Sequence, residues 1–183
     1  MEEYAFRMFG FDRRARERFF HEALSHADAM HNLARYLTGS GVDAEDLVQE
    51  TFARATSAAG RLPPGANLKA WLFRILRNAH LDQRRRAGHD PARPGEDEGP
   101  LDGIAAGDGE GDPEAAWLRK CAARELEAAL LSLSEDRRTV ILLDLEGLPD
   151  VEIAEVLGCA AGTVKSRLSR ARADLRRALR RDG

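Results

Sequence analysis

The chain has 183 residues, of which 43% are hydrophobic, 6% aromatic and 32% charged, and its formal net charge is −3. That length holds one or two small domains with modest cores, and a composition rich in Ala, Leu, Arg and Glu favours helix over sheet. Cys121 and Cys159 are too few and too far apart for a disulfide framework or a four-ligand zinc site. The N-terminus lacks a basic start followed by an apolar run, and no stretch approaches the length of a membrane span, so a cytoplasmic chain without membrane insertion is expected.

In chain order, Phe20, Leu24, Ala27, His31, Ala34 and Leu37 follow a helical period and predict one long amphipathic helix that stops near Gly39 and Gly41. Asp43 is the expected N-cap of the next helix, with Leu47, Val48, Thr51, Phe52 and Ala55 as its buried stripe. Pro63, Pro64 and Gly65 break the chain, and Asn67 caps a third helix that carries Trp71, Leu72, Ile75, Leu76 and Ala79 on one face.

Residues 87–112 differ in kind. They contain seven glycines and three prolines, and eight acids against the single base Arg93. Such a segment buries too little apolar area to offset its ordering entropy, so it is expected to be a flexible linker. Beyond it, Asp112 followed by Pro113 is a helix start, and Trp117, Cys121, Leu126, Leu130 and Leu133 are expected to face inward. Ser134 caps the following helix and Gly147 closes it. A short helix runs from Asp150 to Leu157 and ends at Gly158, and a last one runs from about Gly162 to Arg181. The expected fold is all-α: two small helical domains, 1–86 and 113–183, joined by the acidic linker 87–112.

The most specific local signal is DVEIAEVLGCAAGTVKSRLSRAR, Asp150 to Arg172. Two short helices meet at a tight turn containing Gly158, Ala154 is small where they cross, and Val164, Leu168 and Ala171 give the second a narrow buried stripe. This is the pattern of a helix-turn-helix, whose second helix lies in the DNA major groove. Thr163, Lys165, Ser166, Arg167, Ser169 and Arg170 then project outward, residue types that reach base edges and phosphates. From Thr163 to the end there are eight bases and two acids. A solvated helical face is the bland reading of such a charge run, but the spacing and the scarcity of acids together favour a polyanion partner.

Before the linker, DAEDLVQETFARA (Asp43–Ala55) is by spacing alone an ordinary amphipathic helix. LKAWLFRILRNAHLDQRRR (Leu68–Arg86) carries Lys69, Arg74, Arg77, Arg84, Arg85 and Arg86 against the one acid Asp82, and Asn78 and Asp82 share a face. Two readings stay open on spacing: a core helix with a solvated side, or polar groups that read an unstacked base while arginines hold phosphates. Enzyme chemistry has little support. His21, His26 and His31 recur every five residues and so do not share a helix face, and no nucleophile–base pair, phosphate loop or paired carboxylates stand out. Neither a metal nor a cofactor is expected.

Taken in order, these three blocks resemble the extracytoplasmic-function group of bacterial RNA polymerase sigma factors, over nearly the whole chain from about Phe19 to Arg181. The resemblance implies that the chain binds core RNA polymerase and directs promoter recognition and transcription initiation without chemistry of its own. It implies that Asp46, Leu47, Gln49, Glu50 and Phe52 grip the polymerase. The next block implies melting and reading of the −10 element, with Lys69, Trp71, Arg74, Arg77, Asn78, Asp82, Arg84 and Arg85 on the DNA. Thr163, Lys165, Ser166, Arg167, Ser169 and Arg170 match the helix that reads the −35 element, and the linker matches the segment that threads toward the polymerase RNA path. An anti-sigma partner is implied too. The stretch RLPPGANLKAW, Arg61 to Trp71, departs from the aromatic-rich form common in that group, and Ser169 stands where many relatives carry a bulkier residue. The main alternative is a stand-alone dimeric helix-turn-helix regulator that binds a palindrome without polymerase.

Reach constrains the mechanism. Two elements two helical turns apart on a duplex lie roughly 70 Å apart. A free 26-residue coil averages only about 28 Å end to end and stretches to roughly 90 Å. Both helical domains therefore meet one promoter only with the linker well extended.

Overall fold

The structure is a computed structural model and describes residues 13–88 and 113–180. Among the described residues it contains eight helices and one short 3₁₀ turn, with no strand. The first group comprises α1 (Arg13–Leu24), α2 (Ala27–Thr38), α3 (Gly41–Ala58), the 3₁₀ turn Ala59–Arg61 and α4 (Leu68–Arg86). The second comprises α5 (Pro113–Leu131), α6 (Glu135–Leu145), α7 (Asp150–Leu157) and α8 (Ala161–Leu179). The linker expected at 87–112 lies, from residue 89 onward, outside the described residues.

Each group closes on its own apolar stripes. Met30, Leu33, Leu47, Leu72, Phe73 and Leu76 are almost wholly buried in the first, and Val140, Leu143, Ile153, Val156 and Val164 in the second. The two groups also touch: α7 packs on α4 and α6 on α2, so their cores form one continuous cluster.

Several local expectations shift. The predicted first helix is two helices. The Ser25 hydroxyl donates to the Glu22 carbonyl at 2.7 Å, and the backbone N–H groups of Ser25 and His26 close a turn on residues 21–23. Such side-chain bonding competes with the helical ladder. The buried face then runs through Phe19, Ala23, Met30, Leu33, Ala34 and Tyr36, while Phe20 and Leu24 are exposed. The N-cap of α3 is Ser40 rather than Asp43. Ser40 has extended backbone, and its hydroxyl accepts from the Asp43 N–H at 3.3 Å. Asp43 sits in the first turn, where its charge suits the helix dipole. On α5 the buried stripe runs through Glu127 and Leu130, and Leu133 in the turn that follows is buried too; Trp117 projects from a different side and is 64% exposed, Leu126 is exposed, and Cys121 is only half-buried. Asn67 caps α4 as expected, its side-chain oxygen accepting from the N–H groups of Lys69 and Ala70.

Candidate polymerase and nucleic-acid interfaces

The helix-turn-helix forms as its residues dictate. Asp150 and Glu152 lie in the first turn of α7, favourable at the positive end of the helix dipole. Gly158 ends α7 at φ +64°, a left-handed conformation that favours glycine, and the Cys159 N–H donates back to the Ala154 carbonyl at 3.0 Å. After the turn, α8 buries Val164, Leu168 and Ala171 at spacings of four and three. Its other side presents Lys165, Ser166, Ser169 and Arg170 to solvent, with Thr163 half-buried. Lys165 and Arg170 make no ion pair among the described residues, whereas Arg167 folds back to Asp136 on α6 at 2.6 Å. Farther along α8, Arg172 bonds Asp144 at 2.6 Å and Asp174 pairs with Arg137, so this half is pinned to α6 by charge. Apart from Arg167, the N-terminal half of the helix is left open, the half that meets base edges in helix-turn-helix docking.

On α3, Asp46 and Gln49 are exposed on one face. Val42, four residues before Asp46 and 72% exposed, joins them; the i, i+4, i+7 spacing carries that signal, although the sequence reading passed over it. Leu47 is wholly buried, and Phe52 is half-buried with its ring 6.4 Å from that of Phe20. These two side chains hold the helix in place rather than presenting it.

Glu50 belongs to a network that also contains Asp82. The Arg54 guanidinium donates to Glu50 at 2.6 and 3.0 Å and to Asp82 at 2.8 Å, and Gln83 donates to the other Glu50 oxygen at 2.7 Å. The Arg54 hydrogen bond holds Asp82 below the usual carboxylate range. For Glu50, burial works against ionisation, yet the bonds from Gln83 and Arg54 outweigh it and its pKa is also lowered. Arg54 is raised in turn, chiefly by Asp82. One arginine thus ties the helix expected to meet polymerase to the helix expected to meet DNA. The Glu50–Arg54 spacing of four was visible in the sequence; the partner on α4 was not.

The residues singled out on α4 separate into three groups. Arg74, Asn78 and Arg85 are exposed, at spacings of four and seven, and form one continuous open face, with Arg77 and Asp82 half-buried at its edges. Trp71 is buried, its ring edge-on to Phe19 with centroids 6.1 Å apart. Lys69 and Arg84 point instead at the second group of helices and bond Glu146 and Glu135. His80 is buried behind this face; desolvation, helped by the charges of Arg84 and Arg77, lowers its pKa to about 4. Among the described residues no cluster of side chains could hold a metal ion, and no helix is long and apolar enough to cross a membrane.

Comparison with known proteins agrees with this geometry. The family model for Sigma-70 region 2 matches residues 23–89, and that for Sigma-70, region 4 matches residues 123–175. The chain is 38% identical over 167 residues to the ECF RNA polymerase sigma factor EcfG of Rhodopseudomonas palustris, covering 88% of this chain and 85% of the relative. It is 37% identical over 155 residues to SigM of Mycobacterium tuberculosis, covering 84% and 73%. Against SigE of Mycolicibacterium smegmatis the identity is 40% over 152 residues, covering 82% of this chain but 57% of that longer relative. Among solved structures, the sigma factor RpoE of Bartonella quintana, in complex with the anti-sigma factor NepR, superposes with a TM-score of 0.66 at 32% identity over 91% of this chain and 99% of that one. CnrH, in complex with the cytosolic domain of CnrY, gives 0.64 at 28% over 98% and 96%. With both sigma regions matched in order and relatives covered over most of their length, the chain belongs to the extracytoplasmic-function family of RNA polymerase sigma factors.

Proposed function

We propose that the chain binds core RNA polymerase in the cytoplasm and directs sequence-specific promoter recognition, acting through binding alone. In this reading residues 1–86 dock on polymerase through the exposed Val42, Asp46 and Gln49 face of α3 and read the −10 element through the Arg74, Asn78 and Arg85 face of α4. Residues 113–183 read the −35 element through Lys165, Ser166, Ser169 and Arg170, with Arg167 joining once it leaves Asp136. The segment 87–112 extends between them. An anti-sigma protein, of the kind present in the relatives' complexes, is a partner in this reading.

What supports it most directly is α8. Its buried stripe aims an outer half that carries lysine, arginine and serine and no acid toward solvent, as base readout in a major groove requires. A stand-alone dimeric regulator has no need of the basic open face on α4, and the sigma-region matches cover both halves. Run-off transcription with purified core polymerase on a promoter library is the test. Lys165→Ala should change which −35 sequences are used, and Asp46→Ala with Gln49→Ala should weaken binding to polymerase while the helical circular dichroism is retained. Promoter-specific gel shifts as a dimer in the absence of core polymerase would overturn the sigma reading.

A further inference from the structure

One glutamate faces inward where a leucine beside it faces out. On α5 Glu127 is only 8% exposed, while its neighbour Leu126 is left 45% exposed. Burial preference alone would rotate the helix the other way, since an apolar side chain gains by leaving water and a carboxyl loses its hydration. Glu127 Oε1 is sealed from solvent and finds no hydrogen-bond partner among the described residues. Orphaned acceptors of this kind are rare in protein interiors.

The carboxyl lines a cavity. About 230 Å³ lies where α2, α4, α5 and α6 meet, with Glu127 as its inward polar group. Leu33, Tyr36, Phe73, Leu130 and Leu143 form the wall, and all five are buried. Asn32 and Leu145 stand at the rim, both exposed, Leu145 by 73%, so a small molecule has a way in. An apolar chamber with a placed polar group is the usual build of a small-molecule site. Charge selects against an ion. Glu146 at the rim is already bound by Lys69 at 2.6 Å. Burial, and then the nearness of Glu127, raises the Tyr36 phenol above its ordinary value and keeps it neutral. Arg35 and Arg138 act on that same phenol, so an ammonium beside Glu127 would meet two guanidinium groups. Size follows by proportion: a cavity of about 150 Å³ accepts benzene, so about 230 Å³ suits a body of about nine heavy atoms.

We propose that this cavity is a binding site for a small uncharged ligand, a compact apolar body of about nine heavy atoms with one N–H donor directed at Glu127 Oε1. The wall supplies affinity by burying the body. Glu127 supplies selection, because a molecule of the same shape without a donor leaves the carboxyl oxygen unpaired. The site uses none of the exposed side chains assigned to polymerase or DNA, so it stands or falls separately from those assignments.

Nuclear magnetic resonance titration of the full-length chain with indole and with benzofuran tests this. The two probes match in size and shape and differ in an N–H against a ring oxygen. Indole should bind one to one with a Kd below about 1 mM, shifting the amide resonances of Leu33, Phe73 and Leu143. Benzofuran should bind at least about tenfold more weakly. Glu127→Met removes the acceptor at similar length and should bring the two probes to equal affinity. Leu142→Trp, at the half-buried edge of the same cavity, should fill it and abolish binding of both. The comparison of two probes on the unaltered chain needs no variant, so it decides the matter even if a substitution prevents folding. Absence of saturable indole binding overturns the site, as do shifts confined to residues outside the cavity. Equal affinity for indole and benzofuran, or a preference that survives Glu127→Met, overturns the role of Glu127 and the ligand class with it.

Discussion

Replacing Arg54 with Met keeps most of the aliphatic stem and removes the guanidinium that joins Glu50 to Asp82. Both ion pairs are partly exposed, with 31% of the Arg54 side chain accessible against 29% for Glu50 and 38% for Asp82. Pairs of this exposure contribute about 0.2–1 kcal/mol each, so the two together stabilise the fold by about 1 kcal/mol. For a domain pair of this size that loss lowers the melting temperature by about 2–4 °C. The pH dependence separates this cause from simple loss of packing. The folded-state pKa values of Glu50 and Asp82 lie below their unfolded values. As pH falls, the unfolded chain takes up protons first, so the stabilisation is full above the unfolded carboxylate pKa and is lost as pH drops through the folded one. Thermal unfolding followed by far-ultraviolet circular dichroism should show the variant below the parent at about pH 7 and by a smaller margin at about pH 3. An equal deficit at both pH values would refute the electrostatic account and assign the loss to packing.

Other outcomes follow from the same coordinates. His80, with a folded pKa of about 4 against 6.5 unfolded, should titrate near that lower value by NMR; because the unfolded chain binds its proton first, its contribution is full above 6.5 and is lost as pH falls toward 4. Titration of the folded imidazole at its ordinary value would show the site to be hydrated. Gly158→Ala meets no atom within 4 Å but must hold φ near +64°; it should cost about 1 kcal/mol in denaturant unfolding through the backbone alone. Arg170→Ala should weaken promoter binding and reduce the slope of log affinity against log salt by about 1 if the side chain contacts a phosphate; a change confined to one base position would mark it as a base reader instead.

Much of this protein follows from local chemistry. Helix types, the proline–glycine break before α4, the Asn67 cap and the helix-turn-helix all depend on neighbours within a few residues, and these the residue pattern determined on its own. So did the sign of the outer face of α8, because Val164, Leu168 and Ala171 leave Lys165 and Arg170 only one direction in which to point. Phase was less secure. A turn at Ser25 divides the expected helix, and the core takes Phe19, Ala23 and Met30 in place of Phe20 and Leu24. Long-range pairing was decided only by the tertiary structure: Arg54 with Asp82, Arg167 with Asp136, and Lys69 and Arg84 with acids more than fifty residues away. Charge on a helix face states what it attracts but not which of several partners holds it, since an exposed arginine suits a phosphate and a carboxylate equally. That choice depends on which surfaces the fold brings within about 3 Å of one another, and no spacing along the chain encodes it.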